Sequence, residues 1–154
     1  MERFIIIRGP LGIGKTTIAK EIAKKLNAKY VSIDKILENN GLDRKDNHFI
    51  PQDFIKANEI ALKNTNKKRI IFDGCFYFKE QIKHLKKIDK TVVFNLKAPL
   101  STCIKRDKGR KKVYGKQAAK EVYELVSKFD YGININTNNK TPEQVIKLII
   151  EALK

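Results

Sequence analysis

The chain has 154 residues, a formal net charge of +16 at pH 7 and 42% hydrophobic residues. This length is enough for one α/β domain with a core and too short for two, so we expect a single domain over residues 1–154. No apolar run reaches the length of a membrane span and no signal-peptide pattern opens the chain, which excludes a membrane protein and predicts a soluble, cytoplasmic one.

The first elements in the chain are a strand, a glycine-rich loop and a helix. Phe4–Ile7 is an apolar, β-branched run that is typical of a buried parallel strand, and Thr17–Leu26 has apolar residues at helical spacing. The loop between them has the sequence Gly9-Pro10-Leu11-Gly12-Ile13-Gly14-Lys15-Thr16, which matches the phosphate-binding pattern G-x-x-x-x-G-K-[ST]. Strand, loop and helix therefore occur in the order that a nucleotide site requires.

The residue types in this loop explain how it would hold a triphosphate. Its glycines let backbone N–H groups approach the phosphates, and the following helix points its positive end at the same anion. Lys15 would contact the β and γ phosphates, and the Thr16 hydroxyl would complete the shell of a Mg²⁺ ion. The sequence therefore predicts ATP and Mg²⁺ as ligands, with the nucleotide bound by Gly9, Leu11, Gly12, Ile13, Gly14, Lys15, Thr16 and Thr17.

Strands and helices alternate along the rest of the chain. Further strands are predicted at 30–33, 69–72, 91–96 and 132–136. Further helices are predicted around Ile36 and Leu37, at 51–63, at 79–87, from near Pro99, at 116–128, and from a capping box at Thr141–Gln144 to Leu153. This order predicts a three-layer α/β/α sandwich with a five-stranded parallel sheet, the P-loop NTPase fold, whose ligand crevice lies at the carboxyl ends of the strands.

Two aspartates follow predicted strands and should therefore lie beside the phosphate-binding loop. Phosphoryl transfer needs a carboxylate that orients or deprotonates an acceptor hydroxyl. We expect Asp73 to act on the metal by holding water on Mg²⁺, and Asp34 to accept the proton of the acceptor. The alternative for each is a helix cap or a turn residue, because Asp is common just after strands.

The segment 105–112 is dense in charge and follows the fourth predicted strand and the Pro99 helix. Its two arginines, Arg106 and Arg110, are four residues apart, would share one face of a helix, and would then clamp the transferred phosphate. With Gly109 as a flexible point, we expect a short lid over about residues 105–115. A solvated charged face is the alternative interpretation.

The cysteines and histidines are isolated in the sequence. Cys75 and Cys103 form no C-x-x-C motif and have no histidine at metal-ligand spacing, so buried thiols are expected rather than a zinc site or a disulfide. His48 and His84 are expected to be solvated or locally bonded.

Taken together, these motifs resemble the nucleoside-monophosphate-kinase-like branch of P-loop kinases over nearly the whole chain. The phosphate-binding loop, the step Phe72-Asp73-Gly74 and the lid-like run from Cys103 to Arg110 carry the resemblance. The run from Lys97 to Leu100 that leads into Cys103 is similar to one in adenylylsulfate kinases, and Asp73-Gly74 is similar to the acceptor-side loop of adenylate kinases. Polynucleotide 5′-hydroxyl kinases share the layout, and this likeness implies a general base at Asp34 and phosphate contacts from the lid arginines.

The sequence departs from two of these kinase groups at the acceptor side. In polynucleotide kinases an arginine typically stands three residues after the carboxylate, where this chain has Leu37. Adenylylsulfate kinases carry a D-G-D triplet where this chain has Ser32-Ile33-Asp34. The resemblance therefore indicates the reaction more strongly than the acceptor.

The net charge bears on the choice of acceptor. A field of +16 favours polyanions, whereas a lysine-rich composition can also arise in an AT-rich genome or on a thermophile surface. The favoured hypothesis is a kinase with catalytic residues Lys15, Asp34, Arg106 and Arg110 that transfers the γ-phosphoryl group of ATP to a polynucleotide 5′-hydroxyl. The alternatives are a small-molecule kinase for a nucleotide, adenylylsulfate or a shikimate-like alcohol, an ATPase or switch without an acceptor, and a nucleic-acid-binding domain that grips backbone phosphate.

Overall fold

The computed structural model describes residues 1–43, 49–63, 65–110 and 113–154. In these residues the predicted alternation of strands and helices is confirmed. The strands are β1 (Phe4–Arg8), β2 (Lys29–Ser32), β3 (Ile70–Gly74), β4 (Thr91–Lys97) and β5 (Ile133–Asn136). The helices are α1 (Lys15–Lys25), α2 (Ile33–Asn39), α3 (Pro51–Lys63), α4 (Lys79–Ile88), α5 (Leu100–Lys108), α6 (Lys116–Val126) and α7 (Pro142–Ala152).

The five strands form one parallel sheet in the order β2-β3-β1-β4-β5. β1 lies at its centre, and all five of its residues are buried. β2 and β3 lie on one side of β1, and β4 and β5 lie on the other, so the chain crosses from one half of the sheet to the other between β3 and β4. In sheets of this kind, a ligand crevice opens where the strand order reverses, at the carboxyl ends of the strands. The fold therefore points the loop after β1 into that crevice.

Helices cover both faces of the sheet, which confirms the predicted three-layer sandwich. Ile5 and Ile7 of β1 pack on one face with apolar residues of α1, α5 and α7. Phe4 and Ile6 pack on the other face with apolar residues of α2, α3 and α4. Successive side chains of a strand point to opposite faces, so a wholly apolar β1 is what a strand between two helical layers requires.

Two predicted strand ends were wrong, and both involve site residues. β2 ends at Ser32, whose side chain accepts a hydrogen bond from the Lys35 N–H and caps α2, so Asp34 lies in the first turn of a helix. Asp73 lies inside β3, in register with Ile7 of β1, rather than after the strand. Serine is a favoured helix N-cap, and the Ser32 hydroxyl begins α2 at Ile33, three residues before the expected start near Ile36.

Other details of the sequence analysis can be compared with the described residues. Both cysteines are free and buried, as expected, and His84 is locally bonded, with Nδ1 3.3 Å from Nδ2 of Asn58. Residues 105–108 are the last turn of α5 rather than part of a separate loop, while Lys111, Lys112 and His48 lie outside the described residues. Within the described part of the chain, no helix has the length and apolarity to cross a bilayer.

The predicted capping box of α7 provides a test of local stability. Thr141 Oγ1 accepts a hydrogen bond from the Gln144 N–H at 3.2 Å, and Gln144 Oε1 accepts one from the Thr141 N–H at 2.8 Å. Thr141→Ala should lower the free energy of unfolding by about 1 kcal/mol, because the Gln144 N–H loses its acceptor, the Thr141 hydroxyl. Thr141→Ser keeps the hydroxyl and should stay near the wild-type value in denaturant unfolding. An equal loss in both variants would contradict the cap.

Candidate active site

The phosphate-binding loop joins the buried end of β1 to the first turn of α1. Lys15 is the first residue of α1, is 9% exposed, and donates a hydrogen bond from Nζ to the carbonyl oxygen of Pro10 at 3.0 Å. The ammonium group thus lies across the loop, next to the unpaired N–H groups at the start of the helix. Both features place positive charge at the carboxyl end of β1, which is the arrangement that binds a polyphosphate.

Gly12 fixes the distance between this loop and α5. Its φ is +77°, and a Cβ built on it would lie 2.2 Å from the carbonyl oxygen of Cys103. Real Cβ atoms do not approach backbone oxygen so closely, so a side chain here would push the loop and α5 apart. Gly12, at a variable position of the motif, therefore serves the packing of α5 as well as the turn of the loop.

A hydrogen-bonded triad connects α1, β2 and β3. Oδ2 of Asp73 accepts hydrogen bonds from Oγ1 of Thr16 at 2.8 Å and from the Tyr30 hydroxyl at 2.6 Å. Burial raises the pKa of Tyr30, and the hydrogen bond to Asp73 raises it further, so this hydroxyl keeps its proton and remains a donor. Asp73 is buried, whereas Thr16 is exposed to the crevice.

The donor set of Thr16 and Asp73 fits Mg²⁺. This ion is usually held in kinases by one or two protein oxygens, with water and phosphate oxygens filling the octahedron. Among residues 1–43, 49–63, 65–110 and 113–154, no group of three or more His, Cys, Asp or Glu side chains is placed to hold a metal by itself. An ion bound mainly through a nucleotide needs no such cage, so the hydroxyl and the carboxylate are sufficient.

Asp34 and Lys15 are electrostatically coupled. Asp34 is exposed at the surface as a whole, but the protein around its carboxylate displaces water from it, and this desolvation raises its pKa. The Lys15 ammonium opposes the shift, while the carboxylates of Asp73 and Glu38 add to it. Burial works against the charged form of Lys15, whereas the carboxylates of Asp73 and Asp34 favour it, and the Lys15 pKa is raised. Lys15 therefore stays cationic, beside a carboxylate that takes up a proton more readily than usual.

The loop after β3 forms the opposite wall of the crevice. Burial raises the pKa of the Cys75 thiol and of the Tyr77 hydroxyl, which bond to each other, so both are neutral at physiological pH. The Tyr77 ring stacks on Phe49, with centroids 4.9 Å apart, and meets Phe54 edge-on at 5.8 Å. The wall is therefore aromatic, and its polar groups are uncharged.

The two arginines of the predicted lid are separated in the structure. α5 ends at Lys108 with Gly109 as its C-cap, so Arg106 and Arg110 do not share one face of a helix, and that part of the prediction was wrong. The Arg106 guanidinium donates to the Ile13 carbonyl oxygen at 3.2 Å and to Oγ1 and O of Thr137 at 3.0 and 2.8 Å. Arg110 lies over the Tyr114 ring at 5.3 Å and acts electrostatically on Lys15 and Asp34.

A cleft of about 130 Å³ lies beside Arg106. Ile13 and Thr17 line it from the phosphate-binding loop and α1. Thr137, just after β5, and Pro142, the first residue of α7, line it from the other side. This position is next to the phosphate-binding loop and on the side away from Asp34. The cleft is thus placed where the remainder of a bound nucleotide would extend from its phosphates.

Asp107 and Tyr30 are site residues that the sequence did not single out. The Asp107 carboxylate is 1% exposed and accepts hydrogen bonds from the N–H groups of Tyr114 at 3.3 Å and Gly115 at 3.0 Å. It thus joins the two ends of the predicted lid. Its only signal in the sequence was its place in a charged run. Tyr30 gave no signal, because its partner Asp73 is 43 residues away.

Comparisons with known proteins identify the family to which the chain belongs. The family model described as an AAA domain matches residues 5–127. A Pyrococcus abyssi protein named "Putative adenylate kinase" is 27% identical over 97% of this chain and 83% of its own length. A shikimate kinase from Bacillus subtilis is 39% identical over 77 residues, which are 49% of this chain and 38% of that protein. These matches confirm the resemblance inferred from the sequence.

Solved structures with the same fold include two further kinases. A gluconokinase from Sinorhizobium meliloti 1021 superposes with a TM-score of 0.77 at 12% identity, over 97% of this chain and 90% of that one. A shikimate kinase from Acinetobacter baumannii in complex with shikimate superposes with a TM-score of 0.68 at 19% identity, over 99% and 93% of the two chains. At these identities the likeness establishes the fold.

The Asp107 contacts predict how the segment between Asp107 and Gly115 responds to a minimal change. Asp107→Asn replaces one buried acceptor oxygen with an NH₂ group that faces a backbone donor, which costs about 1.4 kcal/mol locally. Hydrogen exchange at Tyr114 and Gly115 should accelerate roughly tenfold. The control is Glu121→Gln, a similar change at an exposed position of α6. Unchanged exchange in Asp107→Asn would contradict the role of this carboxylate.

Proposed function

The chain belongs to the AAA domain family of P-loop proteins, and on this premise we propose that it transfers the γ-phosphoryl group of ATP to a hydroxyl of a small molecule. The chain is an ATP-dependent phosphotransferase of the nucleoside-monophosphate-kinase-like branch. The proposal adds the type of acceptor, the residues that act on it and the metal.

The observation that carries the proposal is that Lys15, which lies across the phosphate-binding loop, and Asp34, in the first turn of α2, act electrostatically on each other. A cation beside the phosphate-binding loop neutralises charge on a γ-phosphate, and a carboxylate within its field can accept a proton from an attacking hydroxyl. The raised pKa of Asp34 brings its basicity closer to neutral pH, which makes it a stronger general base than an ordinary aspartate.

Each remaining residue of the site has a part in this reaction. Lys15 and the backbone N–H groups of the phosphate-binding loop, Pro10 excepted, would hold the phosphates, and Arg110 would approach the transferred group from the lid. Thr16 and, through water, Asp73 would hold Mg²⁺, which would neutralise charge on the phosphate oxygens. Asp73 is in turn oriented by Tyr30. Arg106 borders the cleft near Thr137 and contacts the nucleoside end of ATP rather than the γ-phosphate.

The polynucleotide acceptor favoured by the net charge finds no support in the comparisons. The relatives and neighbours described above are named for kinases of adenylate, shikimate and gluconate, which are small molecules. The acceptor side of the crevice also carries the carboxylates of Asp34 and Glu38 together with the neutral wall around Tyr77. Carboxylates there oppose the approach of a polyanionic strand, and they suit a small alcohol that presents a hydroxyl to Asp34.

The test is an acceptor panel with γ-labelled ATP and Mg²⁺. It comprises nucleoside monophosphates, adenylylsulfate, shikimate, gluconate and 5′-hydroxyl oligonucleotides. We expect the label on one small-molecule class, and Lys15→Met should lower that transfer at least about 10²-fold, because the γ-phosphate loses its cation. Lys24→Met, at an exposed position in the last turn of α1, is the control. Label on the oligonucleotides would overturn the acceptor proposal, and hydrolysis that no acceptor stimulates would favour an ATPase or switch.

The role of Asp34 predicts a particular dependence on pH. Because burial raises its pKa, the transfer rate should fall as pH drops through a range above that of an ordinary aspartate, where the base becomes protonated. Asp34→Asn should remove this acid limb and lower kcat by about 10² to 10⁴-fold, while Mg·ADP binding persists. The same raised pKa means that ionised Asp34 is unfavourable in the folded state at neutral pH, so the variant should melt at a higher temperature.

The matched control for Asp34→Asn is Glu38→Gln. Glu38 lies one turn further along α2, is exposed, and contributes negative charge to the same region. Its replacement should keep the acid limb and shift it slightly to lower pH, because one repulsive carboxylate is gone. An acid limb that survives in Asp34→Asn would show that another group accepts the proton.

A further inference from the structure

Arg8 is a buried cation directly before the phosphate-binding loop. Its residue is 1% exposed, and it is the last residue of β1. Burial lowers its pKa to about 10, so the guanidinium remains protonated at neutral pH. A buried charge needs compensation, and the groups that provide it here come from three other elements of the fold.

Four hydrogen bonds leave the guanidinium in different directions. Nε donates to the Phe76 carbonyl oxygen at 3.0 Å, and Nη1 donates to Oδ1 of Asn95 at 3.0 Å and to the Phe129 carbonyl oxygen at 3.1 Å. Nη2 donates to the Val126 carbonyl oxygen at 2.9 Å. The guanidinium carbon also lies 4.2 Å from the centroid of the Phe129 ring. Its described hydrogen-bond partners are thus neutral oxygens rather than carboxylates.

The hydrogen-bond acceptors of Arg8 belong to different parts of the molecule. Val126 is the last residue of α6, whose free carbonyl groups carry the negative end of the helix dipole, and α6 follows the predicted lid. Asn95 lies in β4 and is buried. Phe76 belongs to the loop after β3, between Cys75 and Tyr77, which forms the acceptor-side wall.

The hydrogen bond from Arg8 to Phe76 also bears on an unusual backbone conformation at Phe76. Its φ is +48°, in the left-handed region that a bulky residue rarely occupies, and the residue is wholly buried. Such a conformation persists only where surrounding contacts hold it in place. The hydrogen bond from Arg8 Nε to the Phe76 carbonyl oxygen is one such contact, and Phe76 lies between Cys75 and Tyr77 in the chain.

We propose that Arg8 is a positioning residue that holds the acceptor-side loop 74–78 and the end of α6 in register with the phosphate-binding loop. The effect of Arg8 on phosphoryl transfer rests on the proposed function, whereas its effect on the position of the loop and of α6 does not. Acceptor and donor would then meet correctly because one guanidinium on the donor strand fixes the loop that lines the acceptor side.

The test uses Arg8→Lys, which keeps the charge but cannot reach four acceptors from one ammonium group. Hydrogen exchange in residues 74–78 and 126–131 should accelerate about tenfold, while exchange in residues 9–16 and the Kd for Mg·ADP stay within twofold of wild type. Arg3→Lys is the matched control, because Arg3 lies just before the opposite end of β1 and bonds the half-exposed Asp89 at 3.2 Å. It should change neither segment.

A kinetic readout separates positioning from simple support of the fold. With whichever acceptor the labelled-ATP panel identifies, Arg8→Lys should lower acceptor-dependent kcat/KM about tenfold and leave the KM for ATP unchanged. Equal acceleration of exchange in 9–16 and 74–78 would indicate general destabilisation and overturn the proposal, as would no acceleration at all. If no acceptor is found, the exchange experiment still decides the role of Arg8, so failure of the proposed function remains distinguishable.

Discussion

The hydrogen bond between Thr16 and Asp73 is the contact on which the rest of the site depends. It joins the first turn of α1 to the end of β3, and thereby fixes the angle at which the helix leaves the phosphate-binding loop. The loop can point its N–H groups at a phosphate only if the helix after it is held against the sheet. The Tyr30 hydroxyl donates to the same carboxylate from β2, so hydrogen bonds from α1 and β2 hold one oxygen atom of β3 in place.

The second constraint on the site is the close packing of α5 against the phosphate-binding loop. The close approach of Gly12 to Cys103 sets α5 directly on the phosphate-binding loop, and Arg106 then reaches the Ile13 carbonyl oxygen. Any movement of the proposed lid therefore begins after α5, at Gly109, and not at the loop. Asp107 marks that boundary, because its carboxylate receives the N–H groups at the other end of the segment.

The sequence predicted those features that are encoded locally. The phosphate-binding loop, the alternating layers and the capping box at Thr141 each depend on residues a few positions apart, so pattern and spacing revealed them. The contacts of Arg8, Tyr30 and Asp107 depend on partners from distant parts of the chain, and no local pattern marks them. Asp34 falls between the two cases, since its place near Lys15 was predicted but its position in a helix depended on the Ser32 cap.

The net charge shows why a global property of a sequence is a weak guide to an acceptor. The value of +16 sums over the whole chain and describes its field at a distance. The proposed function places the choice of acceptor near Lys15, Asp34 and Arg110, whose charges act on one another. There positive and negative side chains are interleaved rather than segregated, which is consistent with the proposed small acceptor and offers less support for a polyanionic strand. Two proteins with the same net charge can therefore have sites that prefer different acceptors.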